Sequence, residues 1–427
     1  MKSKSICSFL IILFISFFSI NPISSQEKWQ VIFGSEEFTG LVKKNLPEDL
    51  PEKVLVNKDG DIYITSTNSL NNGDPKPNTL GTWIAKFNKT GKFLWWRSPH
   101  ENFQVFSPSV VALTSDASIV SAGKSAYGSL GLDTDGIELF KYDKNGNKIF
   151  QISSASKGKF CDRGLCARYN DIPLFMFEGE NKHIQVVTLL SVEVKEQKGD
   201  TTYFNLVRKP ALISFDRNGK YVSTKFLDLP ENPGVNQFAT SANGGFYFFQ
   251  HQKEWGVELV IRFDSKAKET LRKEVAIGGN LVGALAEKKN GDIILFLTSR
   301  DLDEKNNSSL ILLNSKGEQY FEKKFTLKCF ITKIFETKDS GFIITSSSEI
   351  GENFFYIEKL DSKGNSVWKK NYGSKRSNLV DTAPTSDGGA ILLSYTKDFG
   401  ALYIDALIVK VDSNGESGPT PKRIPPK

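Results

Sequence analysis

Phe87-Asn-Lys-Thr-Gly-Lys-Phe-Leu-Trp-Trp-Arg97 is the stretch whose reading decides the architecture. An apolar residue leads into an Asx, Gly follows the Asx by three, and an aromatic run comes next. That order describes a tight reversal between two strands, because Asx bonds the local backbone and Gly supplies positive φ. The phrase returns as Tyr142-Asp-Lys-Asn-Gly146, Phe215-Asp-Arg-Asn-Gly219, Phe263-Asp-Ser-Lys-Ala267, Leu313-Asn-Ser-Lys-Gly317, Leu360-Asp-Ser-Lys-Gly364 and Val411-Asp-Ser-Asn-Gly415. The Asx positions lie 55, 73, 48, 50, 47 and 51 residues apart. A period of about fifty residues repeated seven times is the mark of a repeat architecture. In the fourth copy Ala267 stands where a positive φ is wanted, which leaves the turn type open there.

A second turn signal precedes each copy: Lys58-Asp-Gly60, Ser115-Asp-Ala117, Glu178-Gly179, Asn243-Gly-Gly245, Asn290-Gly291, Asp339-Ser-Gly341 and Asp387-Gly-Gly389. Apolar runs follow, such as Phe246-Tyr-Phe248, Ile293-Ile-Leu-Phe296 and Ala390-Ile-Leu-Leu393. Each unit therefore reads strand, turn, strand, variable loop, strand, turn, strand. Four antiparallel strands in this span make one blade of a β-propeller, and seven units predict an all-β, seven-bladed propeller.

The last unit lacks its fourth strand. After Gly415 come Pro419, Pro421, Pro425 and Pro426, and proline donates no ladder hydrogen bond. The missing strand is found at the other end of the chain. Lys28-Trp-Gln-Val-Ile-Phe-Gly34 matches Trp368-Lys-Lys-Asn-Tyr-Gly373 of the sixth unit. Residues 28–33 are thus expected to close the ring in the seventh blade, with Trp29, Val31 and Phe33 as the closing side chains, and a Pro-rich disordered tail is expected over 416–427.

The domain plan is a leader at 1–25, a single propeller over 26–415 and the tail. Lys2 and Lys4, the apolar run Phe9 to Phe18 and the small Ser24 and Ser25 have the layout of a cleavable signal peptide. The run is shorter than a membrane span and is broken by Ser16, Ser19 and Asn21. The expectation is a secreted protein, extracellular or periplasmic, with no membrane span. Lys and Arg total 55 against 49 Asp and Glu, an excess too small to imply a nucleic-acid partner. In an oxidising compartment Cys161 and Cys166 are placed to pair across a short loop, with Cys329 left free and buried.

Phe87 to Arg97 and Leu360-Asp-Ser-Lys-Gly-Asn-Ser-Val-Trp368 together resemble the repeats of pyrroloquinoline-quinone-like β-propellers, in which Asp, Gly and Trp follow at intervals of three and four. The resemblance implies that each such Trp docks between neighbouring blades. Thr385 to Leu393, with Ala406-Leu-Ile-Val-Lys-Val-Asp412, is similar to secreted bacterial propeller repeats, some of the WD-like kind. The resemblance covers 27–415 and is specific for fold. Quinone-dependent dehydrogenases of the group have eight blades and often adjacent cysteines, and this chain has seven units and no Cys-Cys pair. Sialidase Asp boxes place Gly two residues after Asp, whereas here the interval is three.

No cofactor or metal is expected. The three histidines, His100, His183 and His251, are scattered, and the Asx-rich loops read as turns rather than calcium loops, because position twelve after Asn57 is Asn68 and not a bidentate Glu. No nucleophile motif is present. In this connectivity the short turns share one side of the ring and the long loops gather on the other, where binding is expected. Tyr127, Arg163, Arg168, Tyr203, His251, Trp255 and Tyr403 are the candidate contact residues there. The expected function is a monomeric, non-catalytic scaffold for a protein or glycan partner. The alternative is a propeller lyase, glycosidase or quinone-dependent oxidoreductase with its site at the channel mouth.

Overall fold

The computed structural model describes residues 28–33, 48–69, 80–98, 106–125, 136–155, 161–162, 165–198, 201–229, 236–251, 257–276, 281–299, 307–327, 329, 331–346, 354–399, 401 and 404–424. The predicted leader, residues 1–25, lies outside them, as do Tyr127, Arg163, Trp255 and Tyr403.

After β1 (Trp29–Phe33) the strands fall into seven sheets, antiparallel throughout except at the outer edge of the last. Blade one holds β2 (Glu48–Val56), β3 (Ile62–Ser69), β4 (Leu80–Phe87) and β5 (Phe93–Arg97). Blade two holds β6 (Phe106–Leu113), β7 (Ile119–Ser125), β8 (Gly136–Tyr142) and β9 (Lys148–Ala155). A short β10 (Cys161–Asp162) precedes blade three, formed by β11 (Leu165–Glu178), β12 (Ile184–Lys198), β13 (Thr201–Phe215) and β14 (Tyr221–Phe226). Blade four is β15 (Asn236–Thr240), β16 (Phe246–His251), β17 (Val257–Phe263) and β18 (Glu269–Ala276). Blade five is β19 (Leu281–Glu287), β20 (Ile293–Ser299), β21 (Ser308–Leu313) and β22 (Gln319–Phe325). Blade six is β23 (Ile331–Glu336), β24 (Phe342–Ser346), β25 (Phe355–Leu360) and β26 (Ser366–Tyr372). Blade seven is β27 (Ser377–Pro384), β28 (Ala390–Thr396), β29 (Asp405–Val411), then β1 and β30 (Lys422–Arg423). The seven-bladed propeller is as expected, and β1 closes it by pairing Trp29 with Lys410 and Phe33 with Ala406.

Burial follows position within the blade. The middle strands are covered by blades on both sides, so β20 and β21 are buried along their whole length. The outer β22 and β26 alternate between half-buried and exposed residues, as a one-sided strand must. The seam between first and last blades has its own core, in which Phe33 packs on Trp83 and Phe93 with ring centroids 5.1 and 5.3 Å apart.

All fourteen short turns share one geometry: the first residue donates its N–H to the fifth carbonyl and accepts from the fourth N–H. This is a type I turn closed by a left-handed residue. Ala267 takes that conformation at φ 56°, so the fourth unit uses the same turn despite lacking Gly. In blade three the turn is Gly179–His183 with Lys182 at φ 57°, one step beyond the position read from Glu178-Gly179. In blade six the left-handed residue is Ser340 rather than Gly341. In the seven turns between third and fourth strands, the Asx Oδ1 accepts two backbone N–H groups, as Asp361 does from Lys363 and Asn365 at 2.8 and 2.7 Å. That capping is what these Asx residues do.

The expectation of disorder over 416–427 is corrected for the described residues, 416–424. Residues 416–424 run along the outside of β1, with β30 parallel to it in the register Val31–Lys422 and Ile32–Arg423. Ile424 N–H donates to Ile32 O at 3.0 Å, and Gln30 Nε2 donates to Gly418 O at 2.8 Å. Proline is tolerated because this is the outermost strand, where a missing N–H breaks no inner ladder.

The disulfide expected between Cys161 and Cys166 falls outside the described side chains. The backbones of the two residues face each other directly across the β10–β11 hairpin. Cys329 is buried, with Sγ 2.7 Å from the Tyr356 hydroxyl.

Candidate functional site

The innermost strand of each blade lines a central channel. Five of these strands carry an extra residue five positions before the turn, Glu52, Ser109, Leu174, Thr332 and Val380, and β11 has two further register shifts. Such bulges sharpen local twist. Where the short turns ring the channel it widens into a cavity of about 720 Å³, with apolar walls that include Leu55, Leu113, Phe175, Phe238, Leu285 and Phe335. Phe175 and Phe238 stack at 5.5 Å with planes 11° apart.

Two carboxylates line this mouth, Glu178 and Glu287, and Glu336 holds the same position in blade six; each is the last residue of an innermost strand. Each reaches sideways to the preceding blade. Glu178 Oε2 accepts Ser115 N–H at 2.6 Å, Glu336 Oε2 accepts Lys289 N–H at 2.9 Å, and Glu287 accepts Ala242 N–H and the Tyr247 hydroxyl. The side chains therefore act as latches between adjacent turns. Burial, with Glu287 beside it, pushes the Tyr247 hydroxyl up to about 12.

Deeper in the channel Asp381 is buried, accepts Val54 N–H at 3.0 Å and pairs with Lys333 Nζ at 2.6 Å. Burial disfavours its charge, but Lys333, Lys53 and the Val54 amide outweigh that and hold its carboxyl below the usual range. One side chain thus ties blades six, seven and one together.

A second set of ions sits behind the turns. Lys141, Lys359 and Lys410, all buried, reach Asp116, Asp339 and Asp387 at 3.2, 2.6 and 2.5 Å. The hydroxyls of Thr114, Thr337 and Thr385 bond the same carboxylates at 2.5 Å. Lys86 plays this part in blade one, 2.7 Å from Asp61. Burial opposes the charge on Asp339, yet Lys359 and Thr337 lower its pKa to about 2. These pairs were not foreseen, although Lys two residues before the Asx in Lys86, Lys141, Lys359 and Lys410 was a legible signal.

The candidates read from the sequence fall mostly outside what is described. Besides the four outside the described residues, Arg168, Tyr203 and His251 have described backbones only, on β11, near the tip of the β12–β13 hairpin and at the end of β16. Blade three stands out on that side, since β12 and β13 run for 15 residues each and pair throughout. Among the described residues no three His, Cys, Asp or Glu side chains are grouped to hold a metal, and no helix is long and apolar enough to cross a membrane.

The class defined by this architecture is the seven-bladed β-propeller. No protein-family model and no curated protein matches the chain. Among solved structures it is similar to hydrazine synthase from Kuenenia stuttgartiensis, at TM-score 0.54 and 11% identity over 88% of this chain and 99% of that one. It is similar also to the polysaccharide lyase Uly1, at TM-score 0.53 and 10% identity over 91% and 98%. The WD40 domain of Neurospora crassa Pan2 aligns at TM-score 0.48 and 11% identity, covering 88% and 92%. Identities this low speak for the fold alone.

Proposed function

We propose that the chain is an exported, non-catalytic binding scaffold that engages a protein or glycan partner through the long-loop side of the ring. The observation that carries this reading is the use made of Glu178, Glu287 and Glu336. A catalytic acid or base needs an oxygen presented to substrate, whereas each of these gives an oxygen to a neighbouring turn amide. The side opposite the short turns bears the connections between second and third strands, with the extended β12–β13 hairpin and the backbone positions of Tyr203 and His251. Loops held by a rigid frame are the usual site of recognition. Export rests on the layout of residues 1–25, and the opposed backbones of Cys161 and Cys166 suit a disulfide in an oxidising compartment.

A second reading draws on the Lys333–Asp381 pair in the channel and on the fold shared with the polysaccharide lyase: an enzyme acting at the channel mouth.

Melting of residues 26–427 against glycans, divalent ions and pyrroloquinoline quinone separates the two. A native-state ligand at a hundredfold excess over its Kd adds about 2.7 kcal/mol of stability. A shift with one small-molecule class, abolished by Lys333→Met, supports the enzyme. A shift or captured partner lost on alanine substitution of Tyr203, His251 and Trp255 supports the scaffold, and partner capture that survives those substitutions refutes it.

A further inference from the structure

The charge of the chain is unevenly distributed. The turns between third and fourth strands, with the fourth strands themselves, span residues 88–97, 143–155, 216–226, 264–276, 314–325 and 361–372 in blades one to six. They carry 18 Lys and Arg against 8 Asp and Glu. That is a net +10 where the whole chain has +6, so everything else sums to −4.

The excess has a fixed pattern. Each of these six turns presents one exposed cation at its tip: Lys89, Lys144, Arg217, Lys266, Lys316 and Lys363. Blade seven has Ser413 and Asn414 there, so the ring of charges has one gap. Beside the tips stand cations held by neutral partners. Arg97 Nε donates to Gly146 O at 2.7 Å, Lys225 Nζ to Lys266 O at 2.9 Å, and Lys323 Nζ to Asn365 Oδ1 at 2.5 Å. A carbonyl or amide oxygen fixes such a side chain without neutralising it.

Apolar side chains share the same segments. Leu94, Ile149, Val222, Tyr320 and Val367 each lie six residues after the turn Asx, and all are exposed. They are spaced one per blade rather than merged into a patch, which does not suit a bilayer surface. They do suit a polymer whose rings present C–H faces between anionic groups.

We infer that the outer rim of the short-turn side is a docking track for an acidic polysaccharide, carboxylated or sulfated, which crosses successive blades. Charge complementarity selects the occupant, and the choice of a polysaccharide over nucleic acid rests on the export proposed above from the layout of residues 1–25. This track lies on the side of the ring away from the long loops and stands whether or not they bind a partner.

The test uses the mature chain with alginate and heparin, against neutral dextran and phosphatidylglycerol vesicles. Polyanion affinity should fall about tenfold or more between roughly 50 and 200 mM salt, as bound counterions are released. Charge reversal at four exposed tips, Lys89→Glu, Lys144→Glu, Arg217→Glu and Lys266→Glu, should weaken binding at least tenfold with melting unchanged. Reversing Lys195 and Lys338, exposed and outside the track, should not. Equal binding of dextran, unchanged binding after tip reversal, preference for vesicles, or no binding to either polyanion overturns the inference.

Discussion

The indole Nε1 of Trp29 donates to the carbonyl of Lys89 at 2.9 Å, across the seam where the last blade meets the first. Trp95 makes the same bond to Lys144 O at 3.1 Å and Trp368 to Ser413 O at 3.2 Å. The seam is thus built like an ordinary blade junction, although the ends of the chain form it. Trp29→Ala should cost ~3–5 kcal/mol in urea unfolding, and Trp29→Phe much less. Gly91→Ala should also destabilise, since a Cβ there would sit 2.5 Å from the Trp29 ring at a φ of +80°.

The tail covers the outer edge of the closing strand. Arg423 Nη1 pairs with Asp405 Oδ2 at 2.6 Å, and Asp405 is wholly buried. Arg423→Met should therefore cost about 3 kcal/mol by weakening the compensation of a buried charge. Removal of residues 416–427 should lower Tm further and expose the edge of β1, which favours strand pairing between molecules. Calorimetry and size-exclusion chromatography check both, and a truncated chain with unaltered Tm would show the tail to be passive.

The carboxylate latches predict a graded response. Glu287→Ala removes the partner of the Tyr247 hydroxyl as well as that of a turn amide, and should cost roughly 1–3 kcal/mol. Glu336→Ala, whose turn amide is exposed to water, should cost less. Glu287→Gln should also move the Tyr247 titration down from about 12, measured by ultraviolet absorbance.

Acid should loosen the turns before the blades. The carboxyls of Asp116, Asp339 and Asp387 are held below their ordinary value, because hydrogen bonds and lysine pairing outweigh burial. A depressed folded-state pKa contributes stability that is present above the unfolded value of about 4 and lost as pH falls through the folded value. Wild-type Tm should drop between about pH 4 and about 2, the latter being where Asp339 titrates. A variant with Asp116→Asn, Asp339→Asn and Asp387→Asn should melt lower at pH 7 and show a shallower drop.

Much of the fold was legible because the turn signal is local. Asn88, Asp143 and Asp361 bond amides two and four residues away, so their role is complete within five residues of chain. The misplaced turns have the same root. Lys182 and Ser340 adopt a left-handed conformation that the sequence advertises at Gly179, three residues earlier, and at the adjacent Gly341, because strand pairing on either side imposes it. The tail was misread since proline content describes only what a segment cannot donate. What it can accept, and what lies beside it, belong to β1 nearly four hundred residues earlier.

By itself the sequence determined the number of blades, the order of strands within each and the identity of the closing strand, because each rests on a short-range pattern repeated at a fixed interval. Only the tertiary structure decided which turn amides and lysines the carboxylates meet. Glu178 and Ser115 are 63 residues apart, and Lys333 and Asp381 are 48 apart. Their meeting depends on the curvature that brings successive blades around one axis, a property of the packed ring that no local segment encodes.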